Sequence, residues 1–310
     1  MEFEATRDAY GKALVELGRI NPNIVVLDAD TSQSTRTNWF AKEFPDRFFN
    51  FGVAEANMTG YAAGFSLCGK IPFVSSFAVF GSIRNFEVIR TSICWAYLNV
   101  KIVVTHAGIS VGEDGASHQS IEDISAMRSL PNMTVIVPAD SRETKKAVFA
   151  CIEHNGPVYI RLGRAKFPVL PEASFKIGKA NVLKEGKDIS IIACGLMVFE
   201  ALKASEFLEK QGISCMVINM STIKPIDEEI IISCAKETKG IITCEEHSII
   251  GGLGSAVSEV IAEKCPAKIK RIGIKDVFGT SGKPDELLRK FEIDSNSIYN
   301  AGLEILNDRL

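Results

Sequence analysis

Residues 51–69 read FGVAEANMTGYAAGFSLCG, and the rest of the chain is read outward from them. One carboxylate, Glu55, stands at the start of this helix-forming stretch among apolar and very small side chains. Gly52, Ala56, Gly60 and Gly64 recur at every fourth position, which leaves one helix face almost bare and open to close approach by another backbone or subunit. An acid beside such a seam is expected to be desolvated. Burial and a helix N-terminus act on a carboxyl in opposite senses. By itself the stretch fits a capping Glu in a tight helix pair as well as a functional acid.

On either side, short apolar runs alternate with helix-period segments. Strands are expected at 24–27, 73–76, 101–105, 134–137 and 158–162, and helices at 6–17, 55–67, 84–97, 122–130 and 142–153. Continuous apolar strands separated by helices require a mainly parallel sheet covered on both faces. Pro168, Pro171, Gly178 and Gly186 then break the periodicity, so 1–166 is read as one domain, 167–187 as a linker and 188–310 as a second, smaller α/β domain. Strands are expected there at 189–193, 214–218, 240–244 and 269–274, with a helix whose inner face carries Val198, Ala201, Leu202, Ser205 and Leu208, another at 255–263 and a helical end.

The 310 residues, 46% hydrophobic and 8% aromatic, suit about two globular domains. A formal net charge of -3 gives no basic excess to hold a polyanion, which argues against general nucleic-acid binding. No apolar run reaches a membrane span, and the start, MEFEATRDAY, lacks the basic-then-apolar order of an export signal. The 8 cysteines show no CxxC spacing, and Cys68, Cys94, Cys151 and Cys194 lie in apolar segments. Reduced, buried thiols in a cytoplasmic protein are therefore expected.

Two further segments carry polar chemistry. Residues 105–123, THAGISVGEDGASHQSIED, follow a buried strand and so fall at the carboxyl edge of the sheet, where ligands collect. His106, Glu113, Asp114 and His118 give this loop a density of titratable groups with no simple metal-ligand spacing; a solvated surface loop is the plain alternative. Gly251, Gly252 and Gly254 stand between a strand and a helix, but the GxGxxG fingerprint is incomplete and tight packing explains glycines equally. His247 in the same turn reads as a solvent-linked or interface histidine or as a catalytic one.

Together FGVAEANM, SSFAVF, VGEDGASHQ, RSLPNM, the LGR at 162–164 and GIITCEEHSIIGGLGSAV resemble the C-terminal half of a transketolase, in the family's order and from Thr6 to about Phe278. The resemblance implies a thiamine diphosphate pyrimidine-binding domain followed by a transketolase C-terminal domain. The family's GDG motif with a downstream Asn, which binds magnesium and the diphosphate, has no counterpart here beyond Glu113-Asp114-Gly115. The chain thus resembles one subunit of a split transketolase. A separate N-terminal-type chain would bind Mg2+ (or Ca2+), and a homodimeric core within an alpha2beta2 assembly is expected.

Residue by residue, the resemblance makes Glu55 the acid that hydrogen-bonds the cofactor's pyrimidine N1' and Phe77 and Phe80 its stacking partners, although core packing accounts for both rings equally. Ile83 stands where many relatives have Tyr, and Asp30 in DADTSQS matches an acid at the cofactor edge of the dimer interface. Asp114 matches the reader of a sugar hydroxyl and His118 a histidine near the transferred two-carbon unit. Arg7, Ser34, His106 and Arg164 match the grip on the sugar phosphate. Ala107 replaces an Asp common after that histidine, and LGRAK replaces LSRQ. Ketol transfer from a ketose phosphate to an aldose phosphate is implied. Deoxyxylulose phosphate synthase-like enzymes, beta subunits of 2-oxo acid dehydrogenases and a catalytically degenerate partner protein are the competing readings.

Overall fold

The computed structural model describes residues 2–307. In the first half the order is β1 (Phe3–Ala5), α1 (Thr6–Ile20), β2 (Ile24–Asp28), α2 (Ser32–Thr35), α3 (Thr37–Glu43), β3 (Phe48–Asn50), α4 (Glu55–Leu67), β4 (Ile71–Ser75), α5 (Phe86–Val88), β5 (Lys101–Val104), α6 (Asp123–Ser129), β6 (Thr134–Ile136), α7 (Ser141–Glu153) and β7 (Val158–Arg161). The second half brings β8 (Lys166–Pro168), β9 (Asn181–Lys184), β10 (Ile189–Ala193), α8 (Met197–Glu209), β11 (Cys215–Asn219), β12 (Thr222–Lys224), α9 (Glu228–Glu237), β13 (Ile241–Ser248), α10 (Leu253–Lys264), β14 (Ile269–Ile274), α11 (Pro284–Lys290) and α12 (Ser295–Asn307).

The uninterrupted apolar strands are buried along their length, as a sheet covered on both faces demands. Seven strands pair in the order β12-β6-β7-β5-β4-β2-β3, all parallel except the edge strand β12. Five more pair as β14-β13-β10-β11-β9, with β9 antiparallel. β12 comes from the second half of the chain yet completes the first sheet through Thr222 opposite Ile136. One apolar cluster runs across both units, from Val25, Met58 and Ile102 to Met216, Ile218 and Val257, so the two sheets share a core.

Two local expectations change. Residues 84–97 are not one helix: around α5 the backbone makes wide turns, with Arg84 N bonding Val79 O, Trp95 N bonding Arg90 O and Leu98 N bonding Ile93 O, each five residues back. The segment 167–187 contains strand as well as turn, because β8 pairs with β1 and β9 finds a free edge at β11. Among the described residues nothing closes on the bare face of α4: a Cβ at Gly60 or Gly64 would meet no atom within 4 Å, and Val53, Tyr61 and Leu67 are exposed.

Candidate active site

Strand order reverses at β2, whose neighbours β3 and β4 lie on opposite sides, and in open parallel sheets the crevice at such a point takes ligands. The loops leaving β2, β3, β4, β5 and β7 carry Asp30 and Ser34, Glu55, Phe77 and Phe80, His106 to His118, and Arg164 respectively. Every residue to which the family resemblance gives a role, except Arg7, therefore lies beyond the carboxyl end of a strand, and Arg7 joins them from the first turn of α1. The first loop is folded by a buried carboxylate, Asp28, which accepts from Thr31 N at 2.6 Å, Thr35 Oγ1 at 2.8 Å and Thr37 Oγ1 at 2.9 Å. Asp30 itself is exposed, with φ of 64°, and accepts from Asn50 Nδ2 at 3.2 Å; it stands apart from the residues gathered around His106.

Those residues form a cationic corner. Arg7 Nη1 donates to Ser34 O at 3.1 Å and lies 3.5 Å from His106 Nε2. Arg7 Nε is buried with no hydrogen-bond partner among the described residues. Burial, with the charge of Arg36 and more weakly that of Arg164, lowers the Arg7 pKa, while Asp8, which pairs with Arg36 Nε at 2.6 Å, acts against them. Arg36 went unnoticed in the sequence because a lone Arg in a polar turn carries no pattern. His106 holds a left-handed backbone (φ 59°), and its Nδ1 lies 2.8 Å from Thr105 Oγ1. Burial and the nearby Arg7 and Arg164 push its pKa down to about 3, so it serves as a neutral hydrogen-bonding ring. Arg164 Nη1 donates to Val111 O at 2.5 Å and leans toward Asp114 (3.6 Å) and Glu113 (3.7 Å).

Beside this corner the rings of Phe77 and His106 stack at 4.0 Å, and His118 meets Phe80 edge-on at 5.4 Å and Phe77 at 6.1 Å. His118 Nδ1 lies 3.0 Å from Ser117 Oγ. Glu55 is 4% exposed in the first turn of α4. Arg84, which no motif flagged, places Nη1 3.5 Å from Glu55 Oε2 and its guanidinium 4.6 Å over the Phe80 ring. Arg84 thereby ties the buried acid to the aromatic wall. Ile83, at 40% exposure, adds only an apolar rim.

The glycine turn after β13 has its own occupant. Glu245 is buried there and accepts from Leu253 N at 2.7 Å and Gly254 N at 2.8 Å, capping α10 with an internal carboxylate. A Cβ at Gly252 would lie 1.9 Å from Glu245 Oε2, so this glycine makes room for that carboxylate. His247 is fully buried between the two units: Ser125 N donates to Nε2 at 3.3 Å, and Nδ1 lies 2.7 Å from Ser248 O. That pairing describes a neutral ring, and burial pushes its pKa down to about 4. Of the readings open for His247, the solvent-linked one is excluded.

A parallel sheet with its loops converging at one edge, a buried acid beside aromatic rings and a group of arginines together define a candidate active site. The chain belongs to the transketolase family: residues 4–169 match the transketolase pyrimidine binding domain and residues 178–298 the transketolase C-terminal domain. It is 54% identical to a transketolase C-terminal section of Methanocaldococcus jannaschii, over 97% of this chain and 96% of that protein. It is 42% identical to the 6-deoxy-6-sulfo-D-fructose transketolase subunit SqwH of Clostridium sp. (strain MSTE9), over 98% and 95%. Rat transketolase is 39% identical over 96% of this chain but only 48% of its own length. A solved split-gene transketolase, described as an inactive beta4 tetramer, superposes with a TM-score of 0.91 at 53% identity, over 97% of this chain and 98% of that one. The chain is thus a subunit of a transketolase-type enzyme, in a family that depends on thiamine diphosphate. No helix among the described residues is long and apolar enough to cross a membrane.

Proposed function

We propose that the chain, in the cytoplasm, is the half of a split transketolase that supplies the pyrimidine and substrate side of the active site, and that it works only with a separate GDG-bearing subunit. The observation that carries this reading is the crowded cationic corner of Arg7, Arg36 and Arg164, with a buried unpartnered Nε, next to a buried acid and stacked rings. The unpartnered Nε of Arg7 and the loosely paired Arg164 suit a sugar phosphate, or the sulfonate that the name of one relative implies for that relative. The residues present fit thiamine diphosphate on its pyrimidine side: Phe77 and Phe80 offer flat apolar faces, and Glu55 is a nearly dry carboxyl whose nearest cation is Arg84, at 3.5 Å. When bound, the cofactor supplies the nucleophilic carbon and the electron sink that ketol transfer requires.

Glu55 shares a proton with the pyrimidine N1' and so sets the tautomer. Asp114 and His118 orient the hydroxyls next to the bond that breaks, while Arg7, Ser34, His106 and Arg164 hold the distal anion. Asp30 lies at the cofactor edge, toward a second copy. The open face of α4 supports a homodimeric core, and Mg2+ (or Ca2+) falls to the partner subunit. Residues 1–166 form the pyrimidine-binding domain and 188–310 the C-terminal domain, joined by 167–187, with general pentose phosphate metabolism or a specialised sugar route as the setting. The test is reconstitution: chain plus GDG-bearing subunit, thiamine diphosphate and Mg2+ should transfer a two-carbon unit, and either chain alone should not. Full turnover by this chain alone would overturn the split reading.

A further inference from the structure

We infer that the second unit sets the geometry of the substrate loop carried by the first, with Glu246 of β13 as the positioning residue. The inference rests on the reading of 106–118 as the substrate loop. That loop is held from outside its own sheet. Ile109 is buried in the apolar cluster of the second unit, with Ile274, Leu287 and Leu288. Glu246 reaches out of β13, and its Oε1 accepts the Ser110 N–H at 2.5 Å. A Cβ at Gly108 would lie 2.2 Å from the Glu246 carboxyl carbon, so the missing side chain, at φ of 77°, lets the carboxyl sit against the turn.

Further contacts hold both ends of the same turn. Arg161 Nη2 donates to Glu246 O at 2.9 Å and to Ser120 O at 3.1 Å, and Arg161 Nε pairs with Asp123 Oδ2 at 2.8 Å. The Gln119 amide nitrogen lies 3.2 Å from both Ile109 O and Gly112 O, and 2.9 Å from Thr280 O in the second unit. Between these anchors hang Asp114 and His118, and His106 sits just before Gly108. A buried carboxyl is costly to keep, and the reading above gives Glu246 no role toward substrate or cofactor. A brace on the loop gives that burial a purpose, because small displacements of substrate-positioning groups cost rate.

The test uses the assembled enzyme with Glu246→Asp and Glu246→Ala. Glu246→Asp keeps a buried carboxyl and only shortens its reach, so it remains informative if the alanine variant does not fold. Both should raise KM about tenfold for phosphorylated donors and for hydroxypyruvate, the loss expected from one charge-assisted hydrogen bond. Thiamine diphosphate affinity, read by fluorescence titration, should stay within about twofold, since Glu55, Phe77 and Phe80 lie on other loops. Amide exchange across 108–119 in the full chain should quicken about tenfold while strand 101–104 keeps its protection. Glu246→Gln retains an acceptor for Ser110 and should restore most of the KM. Unchanged KM and exchange in the Asp variant overturn the inference, as does parallel loss of substrate and cofactor affinity. His118→Ala run alongside separates the two layers. If it leaves KM unchanged, the substrate-loop reading fails; if it raises KM while the Glu246 variants do not, only the brace fails.

Discussion

Glu55 and Arg164 stand at the two ends of the candidate site and are expected to fail in different ways. Glu55→Gln keeps the shape of a side chain that is 4% exposed while removing the carboxylate. Loss of a positioned acid or base costs on the order of 10²–10⁴ in rate, so the assembled variant should still form but turn over correspondingly slowly. Near-normal turnover would return Glu55 to the role of a helix-start residue. Arg164 contacts Asp114 and Glu113 at distances that indicate weak pairing, 3.6 and 3.7 Å, leaving the guanidinium available to a stronger anion. Arg164→Ala should lower kcat/KM for phosphorylated donors roughly ten- to a hundredfold, matching about 1.5–3 kcal/mol for a charge-assisted bond, and leave hydroxypyruvate almost untouched. Equal losses on both donors would mean that Arg164 supports the loop instead of the substrate.

At the scale of elements, the β13 turn and α10 form one electrostatic device. Gly252→Ala drives a Cβ into the Glu245 carboxylate and should destabilise the chain by about 1–3 kcal/mol, measured by urea unfolding, as overpacking does elsewhere. Burial pushes the His247 pKa from 6.5 down to about 4, so its contribution is fully present above pH 6.5 and is lost as pH falls toward 4. Glu245 and Glu246, both pushed up to about 7 by burial, act in the opposite sense: they add stability below about pH 4.5 and withdraw it as pH rises to 7. The whole-chain pH slope mixes these effects, whereas the difference between His247→Gln and wild type isolates the histidine. That difference should move by about 3 kcal/mol in favour of the variant between pH 7 and 4. A constant difference would show that His247 is not held neutral by its surroundings.

For the whole molecule, the α4 face is the decisive surface. A Cβ at Gly60 or Gly64 would meet no described atom within 4 Å outside its own helix, so Gly60→Leu has room in the isolated fold and removes a glycine from a helix interior. If the face packs on a second copy, the variant chain should stay folded by circular dichroism yet sediment as a smaller species. An unchanged sedimentation coefficient would place the copy-to-copy contact elsewhere.

The alternation of apolar runs with helical segments was enough to read two α/β units, because a parallel strand buried on both faces must be apolar throughout. Glu55, Phe77, Phe80, Asp114 and His118 were named through the resemblance of their segments to transketolases, and the fold adds that all five follow strands of one sheet. Other features lay beyond the sequence because they depend on partners distant along the chain. β12 is too short to be read alone, yet it takes the open edge beside β6. The wide turns around α5 follow from how 79–98 is packed, since helical periodicity does not distinguish four-residue from five-residue hydrogen bonding. Arg84 and Arg36 belong to no motif, and Glu246 stands inside one that gives it no role; all three acquire meaning only from the groups facing them. Hydrophobic pattern is a property of neighbours in sequence and determined the layers; charge pairing across the cleft is a property of neighbours in space, and only the tertiary structure decided it.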